Sequence, residues 1–235
     1  MFGASDSAKT YQLSRRVDGY KRFAGQQCCM NGRDLATELR DGHETAFSRL
    51  GSSKAMYALT GGEMEAEQVR AAAADDALAL AAVLDEWTAS TAENGDIGAL
   101  YSELADAARG HAASVVDDPS LDDLPERYET LSRLESTPDR LGGLLGRYLV
   151  TLEHVGQMVG FFVGDADPMA ADDFRGLRSD LEAERDRVAD ALDDVCESND
   201  DWDAARDAGD AVVEAAYDDY VETLESMGIK PKNVC

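Results

Sequence analysis

The sequence predicts an all-α protein, an antiparallel bundle of about six helices. Three observations predict it. Apolar residues recur at three- and four-residue steps from Asn31 onward, alanine and leucine dominate the longest of these runs, and neither Val nor Ile clusters into a strand pattern. A chain of 235 residues is long enough for one sizeable core. Charge and periodicity divide it into a basic extension, 1–29, a single bundle domain, 30–228, and a tail, 229–235.

The extension carries Lys9, Arg15, Arg16, Lys21 and Arg22 against Asp6 and Asp18, a net +3, so the remainder holds −29 of the chain's total of −26. It lacks sustained periodicity and is expected to be disordered. It reads as a start codon assigned upstream of Met30, with a basic arm for nucleic acid or a partner as the rival. The first helix then follows from Leu35, Leu39, Ala46, Leu50 and Met56, closing at Gly61–Gly62. A second runs from about Glu63 through VRAAAADDALALAAVLDEW to about Ser90. Asn94–Gly95–Asp96 breaks the chain before a third, about Ile97 to Val116. DDPSLDDLPE is a loop, and a short helix spans about Glu126 to Leu134.

Pro138 opens the helix that contains LGGLLGRYLVTLEHVGQMVGFFVG, residues 141–164. That stretch is long enough to span a bilayer, but Arg147, Glu153, His154 and Gln157 within it are costly in lipid, so a buried helix is predicted and no membrane partner. Its Gly156, Gly160 and Gly164, at spacing four, predict a face that another helix approaches closely. Asp167–Pro168 reads as a cap with proline at the first helical position, and Leu177, Leu181, Val188, Leu192 and Val195 carry that helix to Cys196. Asn199–Asp200 begins the last helix, whose Trp202, Ala205, Gly209, Val213, Ala216, Tyr220 and Met227 could also serve a dimer seam.

Acid outnumbers base 48 to 22, mostly as Asp (30) and Arg (17). An Asp-rich, Lys-poor surface is tolerated where salt screens its self-repulsion, which predicts a halophile's cytoplasmic protein; an acidic surface for a basic partner is the rival. Unaided binding to nucleic-acid phosphates is disfavoured at this charge. Cys28, Cys29, Cys196 and Cys235 contain no CxxC, so zinc-ribbon and rubredoxin spacings are absent and a reduced compartment is expected. P-loop, G-x-G-x-x-G, G-x-S-x-G and H-E-x-x-H signals are absent as well.

Helical bundles build metal sites from carboxylates and Glu-x-x-His pairs, because residues three apart share a face and reach one ion. No such pair exists here: Glu153 and His154 are neighbours about 100° apart on a helix, Ala108 stands three residues before His111, and His43 directly precedes Glu44. Glu44, Asp76, His111 and Glu153, from four helices, form the candidate metal set for iron or manganese; solvated or ion-paired side chains are the blander expectation. His154 shares a face with Arg147, Thr151 and Met158 and reads as a core histidine, and Cys196 as a packed thiol.

RLGSSKAMYALTGGEME (49–65), GGLLGRYLVTLEHVGQMVGFFVGDADP and YVETLESMGIKPKNVC resemble haloarchaeal rubrerythrin-like proteins of the ferritin-like superfamily, a likeness covering about 30–235. The resemblance implies a ferritin-like bundle and, in rubrerythrins proper, di-iron reduction of peroxide. Asp75–Asp76 and the Ala108-to-His111 turn fall where ligand pairs are expected, each incomplete, and the four-cysteine iron module is missing. Glu153 beside small residues would need a partner. Lys54, the only lysine between residues 22 and 229, is predicted to supply it in an interior ion pair, Lys54–Glu153, occupying the metal's space. The expected function is therefore a non-catalytic interaction or regulatory protein with a decayed site and no resident cofactor, acting with a protein partner or as a homodimer. A di-iron or mono-metal oxidoreductase acting on peroxide or oxygen is the first alternative, and a nucleic-acid-associated regulator the second.

Overall fold

The computed structural model describes residues 30–91, 95–121, 124–125 and 128–231; the basic extension with Cys28 and Cys29, and Cys235, lie outside these. The described residues are all-helical, without strand, and form nine helices: α1 (Gly32–Gly42), α2 (Glu44–Leu50), α3 (Ser53–Leu59), α4 (Ala66–Ser90), α5 (Asp96–Val115), α6 (Glu129–Ser132), α7 (Thr137–Gly164), α8 (Pro168–Val195) and α9 (Asn199–Ser226). None of them is long and apolar enough to cross a membrane.

The count differs from about six mainly because the first expected helix is three. It breaks at His43 and again at Gly51–Ser52. The physical reason lies in the spacing: Leu50 to Met56 is a six-residue step, which at about 100° per residue cannot stay on one face. The breaks let Leu39, Phe47, Leu50 and Met56 all turn into the core. The five long helices keep their expected limits to within about three residues. Their caps are chemical. Asp167 accepts from the Ala170 amide at 3.0 Å ahead of Pro168. Ser136 with Asp139 opens α7, and Ser198 with Asp201 opens α9, each as a capping box.

Helix α7 is the axis of the assembly. The connection 165–167 turns the chain back so that α8 packs antiparallel along it. Helix α9 packs on another side of α7, and there backbone meets backbone. A Cβ on Gly142 would strike the Ala205 main chain, and one on Gly146 would lie 2.7 Å from the Gly209 carbonyl. Both contacts advance in the same direction, so α7 and α9 are parallel. The close approach therefore runs along Gly142 and Gly146, not along the expected Gly156, Gly160 and Gly164. Among the described residues, nothing lies within 4 Å of a Cβ placed on Gly160 or Gly164. Those positions are on the C-terminal half of α7, beyond the crossing.

The α4–α5 hairpin stands further off, its backbone separated from α7 and α8 by a layer of side chains. Its turn end is held by the tilted stack of Trp87 on Tyr101, with ring centres 5.3 Å apart. Helix α1 bridges α8 and α9. Gly32 abuts the Ala189 backbone, and its amide donates to Asp193 at 2.7 Å.

These spacings predict opposite effects for one substitution on one helix. Gly142→Ala must push α9 away and is expected to destabilise by about 1–3 kcal/mol. Gly160→Ala meets open space and is expected to stabilise by about 0.5–1 kcal/mol through helix propensity. Urea midpoints of the two variants check both signs.

Candidate functional site

The only deeply buried charged side chains among the described residues cluster midway along the bundle, between the hairpin and α7–α8. Arg147, Thr151 and His154 follow one another at helical spacing and present one face of α7 to the interior, where all three are buried. Opposite them, α4 supplies Asp76 from within its alanine run. The Arg147 Nη2 donates to Asp76 Oδ2 at 2.6 Å. Thr151 donates to the same oxygen at 3.1 Å, and the Tyr128 hydroxyl donates to Oδ1 at 2.7 Å while accepting from Arg147 Nε at 3.1 Å.

A second group lies one residue along α7. Glu184 of α8 is 6 % exposed; its Oε1 is 2.7 Å from His111 Nε2 of α5, and its Oε2 accepts from the Tyr148 hydroxyl at 3.1 Å. The Arg147 guanidinium sits 5.0 Å from the Tyr148 ring centre and joins the two groups. One layer thus ties α4, α5, α7 and α8 together, with Tyr128 at the start of α6.

Taking a guanidinium and a carboxylate out of water is expensive, and their attraction offsets it only with good geometry and further hydrogen bonds. The layer supplies both. Burial works against the charge on Arg147, but Tyr128, Asp76 and Tyr148 outweigh it and hold its pKa above the ordinary value. Burial, reinforced by the Glu184 charge, pushes the Tyr148 phenol well above its usual range, so it stays a donor. Within this layer, Arg147 Nη1 has no hydrogen-bond partner among the described residues. Two small cavities flank the ion pair, each about 20 Å³, room for a single water. Leu80, Leu177 and Leu181 help close the first, and Leu131, Val212 and Ala216 the second.

The expected metal set does not assemble. Asp76 and His111 do line the first cavity. Glu44, however, is exposed on the first turn of α2. Glu153 is half-buried at the edge, where Arg40 of α1 reaches its Oε1 at 2.6 Å and its other oxygen lies over Gly51. The expected Lys54–Glu153 interior pair is replaced accordingly: Lys54 donates instead to the Lys230 carbonyl at 2.7 Å, on the surface. Glu153 is reached from α1 because the breaks after α1 and α2 redirect the chain.

His154 is buried on the expected face, and Cys196 is buried with its thiol pushed up to about 11, chiefly by burial and then by Asp201 and Asp193. Glu184 was missed, although a signal existed: it continues the Leu177–Leu181–Val188 spacing, so an acid occupies a core position.

A divalent ion fits this layer poorly. Each oxygen of the Asp76 and Glu184 carboxylates already has a polar hydrogen of the protein on it, and a guanidinium stands beside them as the resident cation. No group of three or more His, Cys, Asp or Glu among the described residues is placed to hold a metal. Compared with known proteins, the chain matches no family model, no curated protein and no solved structure.

Removing one partner of a buried pair leaves an uncompensated charge. Asp76→Ala is therefore expected to cost about 3–5 kcal/mol, and Asp76→Ala with Arg147→Met to recover most of that, as measured by chemical unfolding. A second expectation concerns alkali. Burial raises the Tyr101 phenol, its hydroxyl has no hydrogen-bond partner among the described residues, and the nearby Arg140 offsets the rise only in part. A folded pKa above the unfolded value of about 10 gives stability that is complete below about pH 10 and lost as pH rises beyond it. Tyr101→Phe should lose stability less steeply than the parent as pH rises from about 10 to about 12.

Proposed function

We propose that this chain is a non-catalytic, ferritin-like bundle of the rubrerythrin-like kind, in which an internal guanidinium has taken the place of the metal. Its role is then interaction or regulation, through a protein partner or a second copy, in the cytoplasm of a halophile. The observation that carries this proposal is the Arg147–Asp76 pair at 2.6 Å, largely buried among the helices where such bundles build metal sites. The Glu184–His111 and Glu184–Tyr148 bonds support it, since they engage the other interior carboxylate.

An oxidoreductase acting on peroxide or oxygen draws support from one placement, Asp76 and His111 at the same cavity. A metal there would have to displace Arg147 and Thr151 from Asp76, or His111 and Tyr148 from Glu184. A nucleic-acid role rests on residues 1–29 alone, outside the described residues, and the −29 carried by the rest of the chain opposes it.

Elemental analysis of the purified protein decides between the first two. Iron, manganese and zinc are expected well below one per chain, with no peroxide consumption. Stoichiometric metal that disappears in both Asp76→Asn and Glu184→Gln would overturn the proposal.

A further inference from the structure

The polar layer is closed except at one edge of its guanidinium. Arg147 is 5 % exposed, and its Nε and Nη2 are turned to Tyr128 and Asp76. The group is planar, so Nη1 lies on the opposite edge, a charged donor buried without a hydrogen-bond partner among the described residues. Arg147 lines both small cavities, but Tyr128 walls only the second, so the bare edge is directed at the first. His111 reaches that same cavity from α5. Its Nε2 is committed to Glu184 at 2.7 Å, which leaves Nδ1 as the ring nitrogen for the cavity.

We propose that the first cavity is a binding site for one neutral, water-sized ligand, an internal water that accepts from Arg147 Nη1 and donates to His111 Nδ1. Size, polarity and charge select it. The cavity is about 20 Å³, above the ~10–15 Å³ that a single water requires and too small for an oxyanion or an organic ligand. Asp76, His111, Arg147, Thr151 and His154 supply its polar lining within otherwise apolar walls, enough for the two to four partners that hold a water in an interior. Two carboxylates, Asp76 and Glu184, stand in the layer against the one guanidinium. An anion is repelled by the excess of carboxylate, and a cation by the guanidinium it would touch. A neutral molecule that both accepts and donates is what remains. The bond to Nδ1 fixes His111 as the Nε2–H tautomer, the one that donates to Glu184. The water thereby joins the two halves of the layer, carrying the α5–α8 link through to α7 and α4, and it meets the bare donor about as well as a direct bond would. Nothing in this site depends on a ferritin-like ancestry.

Crystals of the full-length chain, at a resolution that shows ordered water, test this directly. Electron density is expected for one water within about 3.2 Å of both Arg147 Nη1 and a ring nitrogen of His111. An empty cavity, or a peak that bromide replaces in soaked crystals, overturns the assignment. In solution, Overhauser contacts from water to the Arg147 Hη protons are expected in the parent and should vanish in Val155→Ile, which adds one methylene to the cavity wall. Their absence from the parent, or their survival in the variant, counts against the site. Displacing the water strands Nη1, so the folding equilibrium constant of Val155→Ile should fall about tenfold by urea unfolding. A dry cavity gives the opposite sign, about a fourfold rise from one more buried methylene. A rise, or no change, overturns the proposal.

Discussion

One buried ion pair sets the terms for the rest of this molecule. Arg147 and Asp76 bring two full charges into a region of low polarity, where neither is tolerated alone. Each must therefore be met by neighbours with exact chemistry: Thr151 and Tyr128 for the carboxylate, Tyr128 and the Tyr148 ring for the guanidinium. Tyr148 in turn draws in Glu184, and Glu184 draws in His111. Helices α4, α5, α7 and α8 each contribute at least one member, so the layer also fixes which of their faces may pack. A core of leucine and alanine alone would permit several rotations of α4 against α7; a carboxylate that must find one guanidinium permits one.

The layer also accounts for the uneven spacing of the helices. Charged and aromatic side chains need room, and the hairpin stands off from α7 and α8 by their length, leaving the two small cavities beside Arg147. On the other side α7 carries Gly142 and Gly146, and α9 answers with Ala205 and Gly209, so backbone comes against backbone. One helix thus has a spacious polar side and a tight apolar side, and its sequence alternates accordingly: glycines where α9 crosses, Arg147, Thr151 and His154 where the hairpin faces.

Much of this was legible beforehand and some was not, for identifiable reasons. Helix limits were legible because caps and breakers are local: Asp167–Pro168 and Gly61–Gly62 act within a few residues. The shared face of Arg147, Thr151 and His154 follows from helical geometry alone. Partner identity was not legible. Arg40 and Lys54 are both cations near Glu153 in principle, and the choice depends on the bends at His43 and Gly51, which redirect α1. Glycine spacing misled for a related reason. Gly156, Gly160 and Gly164 form the more regular series, yet where a helix crosses its neighbour is a property of the pair, and α9 crosses earlier. Asp76 was singled out, but as a ligand for a metal rather than for Arg147; its residue type is compatible with both.

The seat of α1 carries a consequence for how the chain comes to be built. Its first turn is capped locally by Asn31 but seated at long range: Gly32 rests on Ala189 and donates its amide to Asp193, 161 residues onward. Arg40 waits for Glu153, and Glu38 for Arg206, across gaps of 113 and 168 residues. On a ribosome, α1 emerges before its partners and meets them only after α7, α8 and the first turns of α9 have followed. Loop-closure entropy makes such long-range contacts the late ones in any folding order. Helix α1, made before the helices it rests on, is thus the latch that closes late, and until it closes Leu35 and Leu39 lack their folded burial. The heavy negative charge of the finished chain, by keeping nascent copies apart, protects them through that interval.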